Sequence, residues 1–404
     1  MTKNKKYYIL IISVIIFANM LIYAFTGQWP FMRNNYNSFM LQAEAWLHGR
    51  LDIGVNYEHL ELAVYSGKYY VSFPPFLSIL LLPFALINML PFISINPDHF
   101  IALVMACLSG VFAYKLALVY IKNQEKAAFY SLFLCVGGNY LFLTNTGYVW
   151  FIAQNAAFMF TLMSLYYAAR DDGERKPALS LFFLCCVMGC RPFNGIYLPI
   201  ILYLLYAAER DAGFIIYLKR LLIWALPAVG LGMVYMGLNY ARFGNVLEFG
   251  HTYLPEFTEA VHGQFSPVYL AQNIGRLFRL PGLRNGRIAF QAFDGTAFWL
   301  VSPIVLTYVI TYIIGIKRLG KDILTRLIPV LLAAHLLILC LHKTMGGWHF
   351  GNRYTVDILP ALFFGLARQD KGPERTWMFV SLPLLALGFG LNIIGTVLLF
   401  LGYL

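Results

Sequence analysis

The chain has 404 residues, of which 60% are apolar and only 12% charged, and its mean hydropathy is +0.66. A soluble domain carries about 25% charged residues, and a single hydrophobic core stops growing near about 250–300 residues. The composition therefore excludes a soluble globular protein and predicts that lipid covers much of the surface. The net charge of +11 does not indicate nucleic-acid binding, because much of it lies in short loops between apolar runs, where basic residues set membrane topology.

Apolar runs separated by charged residues predict about eleven transmembrane spans. A further apolar run, 76–92, contains Pro83 and Pro91 and follows two more prolines. If this run does not cross, all the short basic loops lie on the side of the lysine-rich N-terminus; these loops are 122–126, 170–176, 210–220, 317–321 and 368–375. We therefore interpret 76–92 as an interfacial or re-entrant helix. The predicted spans are 7–26, 99–121, 127–145, 148–168, 177–191, 194–208, 220–241, 293–316, 323–342, 354–367 and 376–403.

This arrangement predicts one all-α polytopic membrane domain, residues 1–404, with its N-terminus inside and its C-terminus outside. The outer face then carries a first loop, 27–98, with juxtamembrane helices, a second long loop, 242–292, and a third, 342–353. The inner loops are short and contain no recognisable chemistry. We expect any functional site to lie in the outer loops.

The first loop has helical periodicity over residues 37–48, and Gly49 is placed to end that helix. Glu44 and His48 lie on one face, which suits either a surface ion pair or a carboxylate and an imidazole in a cleft, fit for general-base work or metal binding. Further acidic residues, Asp52, Glu58 and Glu61, are ordinary solvated loop charges or part of that cleft. Ser66-Gly67 predicts a hairpin turn before Tyr69 and Tyr70.

The other outer segments are rich in basic residues. Arg242 and Arg191 stand at span ends, where they either snorkel to head groups or serve the site. Four arginines of the second loop suit a lipid phosphate or anionic head groups: Arg276, Arg279, Arg284 and Arg287. In the third loop, Arg353 and Asp357 are spaced i, i+4, and we expect them to face one another as a functional charge pair.

Four motifs in order resemble those of the type C (GT-C) membrane glycosyltransferases, the class that contains protein O-mannosyltransferases and the aminoarabinose transferase of lipid A. They are Ala45-Trp-Leu-His-Gly-Arg-Leu-Asp52, Gly67-Lys-Tyr-Tyr-Val-Ser-Phe-Pro-Pro75, Asn239-Tyr-Ala-Arg-Phe-Gly244 and Gly346-Gly-Trp-His-Phe-Gly-Asn-Arg-Tyr354. The resemblance covers nearly the whole chain. It implies an inverting transferase that takes a sugar from a polyprenyl-phosphate carrier to a hydroxyl of a glycan, lipid or protein acceptor.

The resemblance also implies roles for residues. A first-loop carboxylate deprotonates the acceptor, and the candidates are Glu44, Asp52, Glu58 and Glu61, of which Glu44, Asp52 and Glu61 are the catalytic residues that we predict; an arginine or lysine stabilises the departing phosphate. Members of the class usually carry an acidic residue where this chain has Asn34-Asn35, and the lipid A enzymes often carry one at a position near Gln154. The residues that we expect to bind substrate are Asn34, Asn35, His48, Glu58, Tyr69, Tyr70, Gln154, Arg191, Arg242, His251, Lys343, Trp348, His349, Arg353, Tyr354 and Asp357.

Two questions stay open at the level of sequence. Glu44, His48 and His251 could ligate a divalent metal, although separated residues carry little information about a metal site. The asparagines at 34 and 35 also leave room for a non-catalytic polyprenyl-lipid binder or translocase of cell-envelope glycan assembly. We expect the transferase, or the lipid binder or translocase, to lie in a bacterial inner or plasma membrane. Its partners would include membrane lipids, and we expect no nucleic-acid partner.

Overall fold

The computed structural model of the chain describes residues 2–171, 175–284, 286–319, 322–369 and 376–404. Three of the basic loops that set the predicted topology, 170–176, 317–321 and 368–375, lie partly outside these residues. The side chains of Arg284 and Arg287 also lie outside the described part. The helices are α1 (Thr2–Thr26), α2 (Ser38–Leu47), α3 (Phe76–Asn88), α4 (Asp98–Tyr120), α5 (Gln124–Val136), α6 (Tyr140–Thr144), α7 (Val149–Ala169), α8 (Pro177–Met188), α9 (Leu198–Ala208), α10 (Phe214–Phe243), α11 (Pro255–Thr258), α12 (Leu270–Phe278), α13 (Phe298–Val301), α14 (Ile304–Leu319), α15 (Ile323–Leu341), α16 (Leu359–Gln369) and α17 (Thr376–Phe400).

The chain is a helical membrane protein, as its composition predicted. Within the described ranges, six helices are long and apolar enough to cross a membrane: Lys5–Thr26, Asp98–Tyr120, Val149–Ala169, Phe214–Phe243, Ile323–Leu341 and Phe379–Phe400. The other predicted spans are short or broken. The run 127–145 divides into α5 and α6 at Gly137-Gly138, and 354–367 begins as a 3-10 helix, Arg353–Ile358, before α16. Helix length alone therefore supports six crossings.

Helix α7 forms the centre of the bundle. Along an apolar stretch of 18 residues in α7, 89% of the residues are buried, whereas only 6% are buried along such a stretch of α10. Helices α4 and α8 pack against α7, and α16 covers part of it. Buried polar side chains on α7, such as Gln154 and Asn155, can be satisfied only by neighbouring helices, since lipid offers no hydrogen bonds.

The first predicted outer loop folds as its sequence indicated. Helix α2 ends at Leu47, and Gly49 has φ +72°, the left-handed conformation that favours glycine. Strands β1 (Ala63–Tyr65) and β2 (Lys68–Tyr70) form an antiparallel hairpin with Ala63 opposite Tyr70. Helix α3 has 13 residues, about 20 Å at 1.5 Å per residue, which is shorter than the ~30 Å hydrocarbon core.

A second hairpin was not predicted. Strands β3 (Gly282–Arg284) and β4 (Arg287–Ala289) pair antiparallel in the second loop. Just before it, helix α12 lies across the end of α15, because Asn273 Nδ2 donates to the carbonyl oxygens of Cys340 (3.0 Å) and His342 (2.7 Å). These carbonyls belong to the last turn and the C-cap of α15, and carbonyl groups at the end of a helix have no partner within it. The loop is thereby fixed at the end of the bundle where the third loop begins.

Candidate functional site

The main cavity, of about 640 Å³, lies where the three predicted outer loops meet. The first loop contributes Glu58, His59 and Glu61, and the residues at the start of α7 contribute Tyr148, Trp150 and Phe151. The second loop adds His251 and Glu256, and Phe293 follows directly after it. The third loop and the segment after it supply Gly346, Trp348, Arg353 and Tyr354, while Arg191 enters from the end of α8.

Glu61 is held in place at this cavity. Its backbone is left-handed, with φ 51° and ψ 60°, a conformation uncommon for residues other than glycine and found where surrounding contacts impose it. Ser72 Oγ donates to its carbonyl oxygen at 3.1 Å, and Trp150 Nε1 donates to its Oε2 at 2.7 Å. Among the carboxylates considered as the base, Glu58 and Glu61 both line the main cavity, and Glu61 is the one that accepts a hydrogen bond from Trp150.

Arg353 places a buried cation in the same cavity. It is 6% exposed, and its Nε donates to the carbonyl oxygen of Gly346 at 2.8 Å. Burial lowers the pKa of its guanidinium, while Tyr354, Glu61 and Asp357 oppose that shift. No carboxylate among the described residues forms an ion pair with Arg353. A buried cation without a counter-ion is costly unless a ligand supplies the negative charge.

The expected pairing of Arg353 with Asp357 is wrong. Asp357 instead accepts from Arg191, whose Nη2 lies 2.8 Å and whose Nε lies 3.1 Å from its Oδ2. The reason is local geometry, because residues 353–358 form a 3-10 helix, in which side chains at i and i+3 are aligned rather than those at i and i+4. Gln154 completes the network, since its Nε2 donates to Asp357 Oδ1 (2.9 Å) and to the carbonyl oxygen of Arg353 (2.7 Å).

Both arginines lie close to the ring of Tyr354. The guanidinium carbon of Arg191 lies 5.1 Å and that of Arg353 4.7 Å from the centre of its ring, within the range of cation–π attraction. Both side chains are thus pre-organised. Because Asp357 neutralises Arg191, the uncompensated positive charge at this point is that of Arg353.

A second cavity, of about 290 Å³, adjoins the first and is lined by apolar side chains such as Phe193, Leu247, Phe249 and Ile338. The two cavities have four residues in common: Phe73, Arg191, His251 and Tyr354. A molecule with an apolar part, a charged centre and a polar part could therefore occupy both, with the charged centre beside the arginines.

Two neutral histidines, His251 and His342, line these cavities. Burial, with a smaller contribution from the nearby arginines, lowers the pKa of His251 to about 3 and that of His342 to about 4. Burial and Arg353 likewise lower the pKa of His349 to about 3. These rings carry no positive charge near neutral pH, so they leave Arg353 as the cation available to an anionic ligand.

The other predicted carboxylates lie elsewhere. Glu44 accepts from Asn88 Nδ2 of α3 at 3.2 Å, and Asp52 lies 3.8 Å from Lys68 Nζ beside the first hairpin. His48 does not pair with the Glu44 carboxylate; its Nδ1 contacts the Glu44 carbonyl oxygen at 2.8 Å. Neither member of the proposed helical pair reaches the main cavity.

Several predicted binding residues serve the scaffold. Asn34 donates to Asp98 Oδ2 (3.2 Å) and to the Gly147 carbonyl oxygen (2.8 Å). Arg242 is 2% exposed and donates to Asn239 Oδ1 at 2.8 Å, so it does not snorkel to head groups. Tyr70 is buried against Phe243. Lys343 donates to the carbonyl oxygen of Glu256, a residue that lines the main cavity. His349 is fully buried, and Tyr69 is half-buried in β2.

Sequence reasoning missed Glu256 and Trp150. Burial and the nearby Glu61 raise the pKa of Glu256, and Lys343 opposes the shift. Two features of the sequence could have indicated them: a carboxylate in an otherwise basic outer loop and an indole at the start of a helix.

No group of three or more His, Cys, Asp or Glu side chains is placed to hold a metal in the part of the chain that is described, and Glu44, His48 and His251 are not brought together.

No protein-family model matches the chain, and no curated protein matches it.

Proposed function

We propose that the protein is an inverting glycosyltransferase that moves a sugar from a polyprenyl-phosphate carrier to an acceptor hydroxyl. The observation that carries this proposal is that one cavity is lined both by a fixed carboxylate, Glu61, and by a buried cation without a counter-ion, Arg353. These are the two groups that glycosyl transfer from a phosphate needs: one accepts the acceptor proton, and the other stabilises the charge of the leaving phosphate.

The adjoining apolar cavity supports a lipid-linked donor. Its lining suits the first isoprene units, and Arg191 and Tyr354 stand at its junction with the main cavity. The phosphate would lie at this junction beside Arg353, with the sugar in the main cavity. The resemblance of four sequence motifs to the GT-C class is the second, independent support.

In the proposed reaction, Glu61 takes the proton of the acceptor hydroxyl as its oxygen attacks the anomeric carbon. The bond from that carbon to the phosphate oxygen breaks, and its electron pair leaves with the polyprenyl phosphate. The products are the glycosylated acceptor and the polyprenyl monophosphate. Single displacement inverts the anomeric carbon, and Trp150 keeps the carboxylate pointed into the cavity.

The proposal includes the finer topology of eleven spans, with the cavity on the outer face of a bacterial inner or plasma membrane. Short and broken helices such as α8 and α9 would cross as partners of longer ones. Cysteine substitution tests this topology: His262→Cys should react with a membrane-impermeant maleimide in intact cells, and Lys122→Cys should react only after permeabilisation. The opposite pattern would overturn the orientation.

The test of the function is turnover in nanodiscs with a panel of polyprenyl-phosphate sugars and envelope acceptors. We expect transfer from at least one donor and a loss of about 10²- to 10⁴-fold in Glu61→Gln, the range for removing a general base. Glu44→Gln is the matched control, because its carboxylate faces Asn88 rather than the cavity, and it should retain activity. Absence of both turnover and donor binding would refute the proposal; donor binding without turnover would favour the non-catalytic lipid binder or translocase.

A further inference from the structure

A polar groove adjoins the main cavity and has no role in the proposed reaction so far. It has a volume of about 400 Å³, and most of the residues that line it are polar: Arg33, Asn34, Asn35, Tyr36, Asn37, Tyr57 and His59, together with Leu41 and Leu60. Tyr36 and His59 also line the main cavity, so the two spaces share part of their wall. Glu61 is two residues beyond His59, which places the proposed base close to their junction.

The backbone of the groove is held rigidly. Asn34 fastens it to the starts of α4 and α7 through Asp98 and the Gly147 carbonyl oxygen. The carbonyl oxygen of Tyr36 accepts from the Val149 amide at 3.0 Å, and that of Asn35 contacts His59 Nε2 at 3.1 Å. Asn34 is therefore a structural residue here, and this explains why an amide rather than a base occupies its position.

The aromatic side chains form a fixed surface beside the amides. The ring of Tyr36 lies 5.5 Å from His59, 4.7 Å from Tyr148 and 5.4 Å from Trp150, measured between ring centres. His59 in turn lies 6.2 Å from Tyr57. These rings connect the groove to Trp150, the residue that holds Glu61.

Two amides of the groove are free to bind a ligand. Asn35 is exposed and Asn37 is half-exposed, and neither side chain makes a hydrogen bond to any residue that the structure describes. Asn37 is the N-cap of α2, yet its side chain makes no capping bond, although asparagine commonly does so. A side-chain amide both donates and accepts hydrogen bonds, as the hydroxyl groups of a sugar do.

We infer that this groove binds the acceptor and that the acceptor is a polyhydroxylated glycan. This inference rests on the proposed transferase function and names the substrate class of its second substrate. Free amides and a fixed aromatic surface suit the hydroxyl groups and the C–H faces of sugar rings. Among the described residues that line the groove, only Arg33 carries a fixed charge, which suits a neutral or anionic glycan.

The test is binding rather than turnover, so that it can fail independently of the proposed reaction. Purified protein in nanodiscs is applied to an array of bacterial cell-envelope oligosaccharides, and polyprenyl-phosphate binding is measured separately. We expect at least one glycan to bind, and Asn35→Ala combined with Asn37→Ala to weaken that binding at least tenfold.

Gln272→Ala is the matched control, because Gln272 is an exposed amide that lines a different cavity. The thermal midpoint of the double variant should stay unchanged, since neither side chain bonds to the scaffold. Failure of every glycan to bind, or equal binding by the double variant, overturns the inference. Glycan binding without any donor binding would instead refute the transferase proposal and leave the groove as a glycan site.

Discussion

The guanidinium of Arg353 is almost completely buried beside Tyr354 and has no carboxylate partner among the described residues. Arg191, 5.1 Å from the centre of the same ring, is neutralised by Asp357. The two arginines therefore contact one ring but differ in their counter-ion. This contrast separates a ligand-binding charge from a structural one.

We predict opposite stability effects for the two arginines. Arg353→Met removes an unpaired buried charge, so the free energy of unfolding should stay equal or rise, while transfer falls about 10²-fold or more. Arg191→Met leaves Asp357 unpaired and should cost about 3–5 kcal/mol. Thermal midpoints in detergent and donor-dependent turnover measure both. A large loss of stability in Arg353→Met would contradict the role that we give it.

Burial of His349 predicts a dependence of stability on pH. Its pKa is lowered from 6.5 to about 3 in the folded protein, so the unfolded chain binds the extra proton between these values. Stability is therefore fully present above pH 6.5 and declines as the pH falls towards 3. At pH 5 the loss is about 2 kcal/mol for one such group.

The thermal midpoint of His349→Leu should therefore fall less between pH 7 and pH 5 than that of the unmodified protein. His262→Leu is the control, because His262 is exposed and its substitution should leave the slope unchanged. Equal slopes for all three proteins would show that His349 does not contribute.

At the scale of elements, the first hairpin has a tight turn with positive φ at both central residues, Ser66 (49°) and Gly67 (72°). Such turns favour Asn-Gly. A Cβ at Gly67 would meet no atom within 4 Å, so any penalty there comes from backbone conformation alone. The hairpin follows Glu61 directly and supports it through Ser72.

We predict that Ser66→Asn stabilises the protein by up to about 1 kcal/mol and that Gly67→Val destabilises it by about 1–2 kcal/mol. The two substitutions are adjacent and equally exposed, so each is the control of the other. Thermal unfolding at a fixed detergent concentration measures the difference. The same sign for both substitutions would contradict the turn geometry.

The sequence predicted helix α2 and the first hairpin well, because the signals for both are local. The helix over 37–48, its end at Gly49 and the turn at Ser66-Gly67 follow from periodicity and turn chemistry. The pairing of Arg353 with Asp357 failed at the same scale, because it assumed α-helical spacing in a segment that folds as a 3-10 helix. That conformation depends on packing against α7 and α15 and leaves no clear mark in the sequence.

At the scale of the whole molecule, Asn139 connects distant parts of the chain. Its Nδ2 donates to the Phe350 carbonyl oxygen and to Asn392 Oδ1, both at 3.1 Å, and its Oδ1 accepts from the Asn352 amide at 2.9 Å. The backbone of Asn139 also donates to Ser302 Oγ at 3.0 Å. These bonds tie the break between α5 and α6 to α17 and to the segment that leads into Arg353.

We predict that Asn139→Leu lowers the free energy of unfolding by about 3 kcal/mol or more, because it leaves several buried groups without partners at about 1–3 kcal/mol each. Ser302→Ala, which removes a single bond of the same network, should cost about 1 kcal/mol. Thermal midpoints of both variants test this order. A smaller effect for Asn139→Leu than for Ser302→Ala would refute it.

The sequence by itself determined that this is a helical membrane protein, because composition and apolar run length directly reflect the solvent. It also named Glu61, Arg191, Arg353 and Tyr354 as candidates. Only the tertiary structure decided which of these residues meet. Glu61 and Arg353 line one cavity, Asp357 forms its ion pair with Arg191, and Glu44 and Asp52 do not line that cavity. The physical reason is that contacts between residues a hundred or more positions apart arise from packing of the whole bundle, which no local pattern encodes.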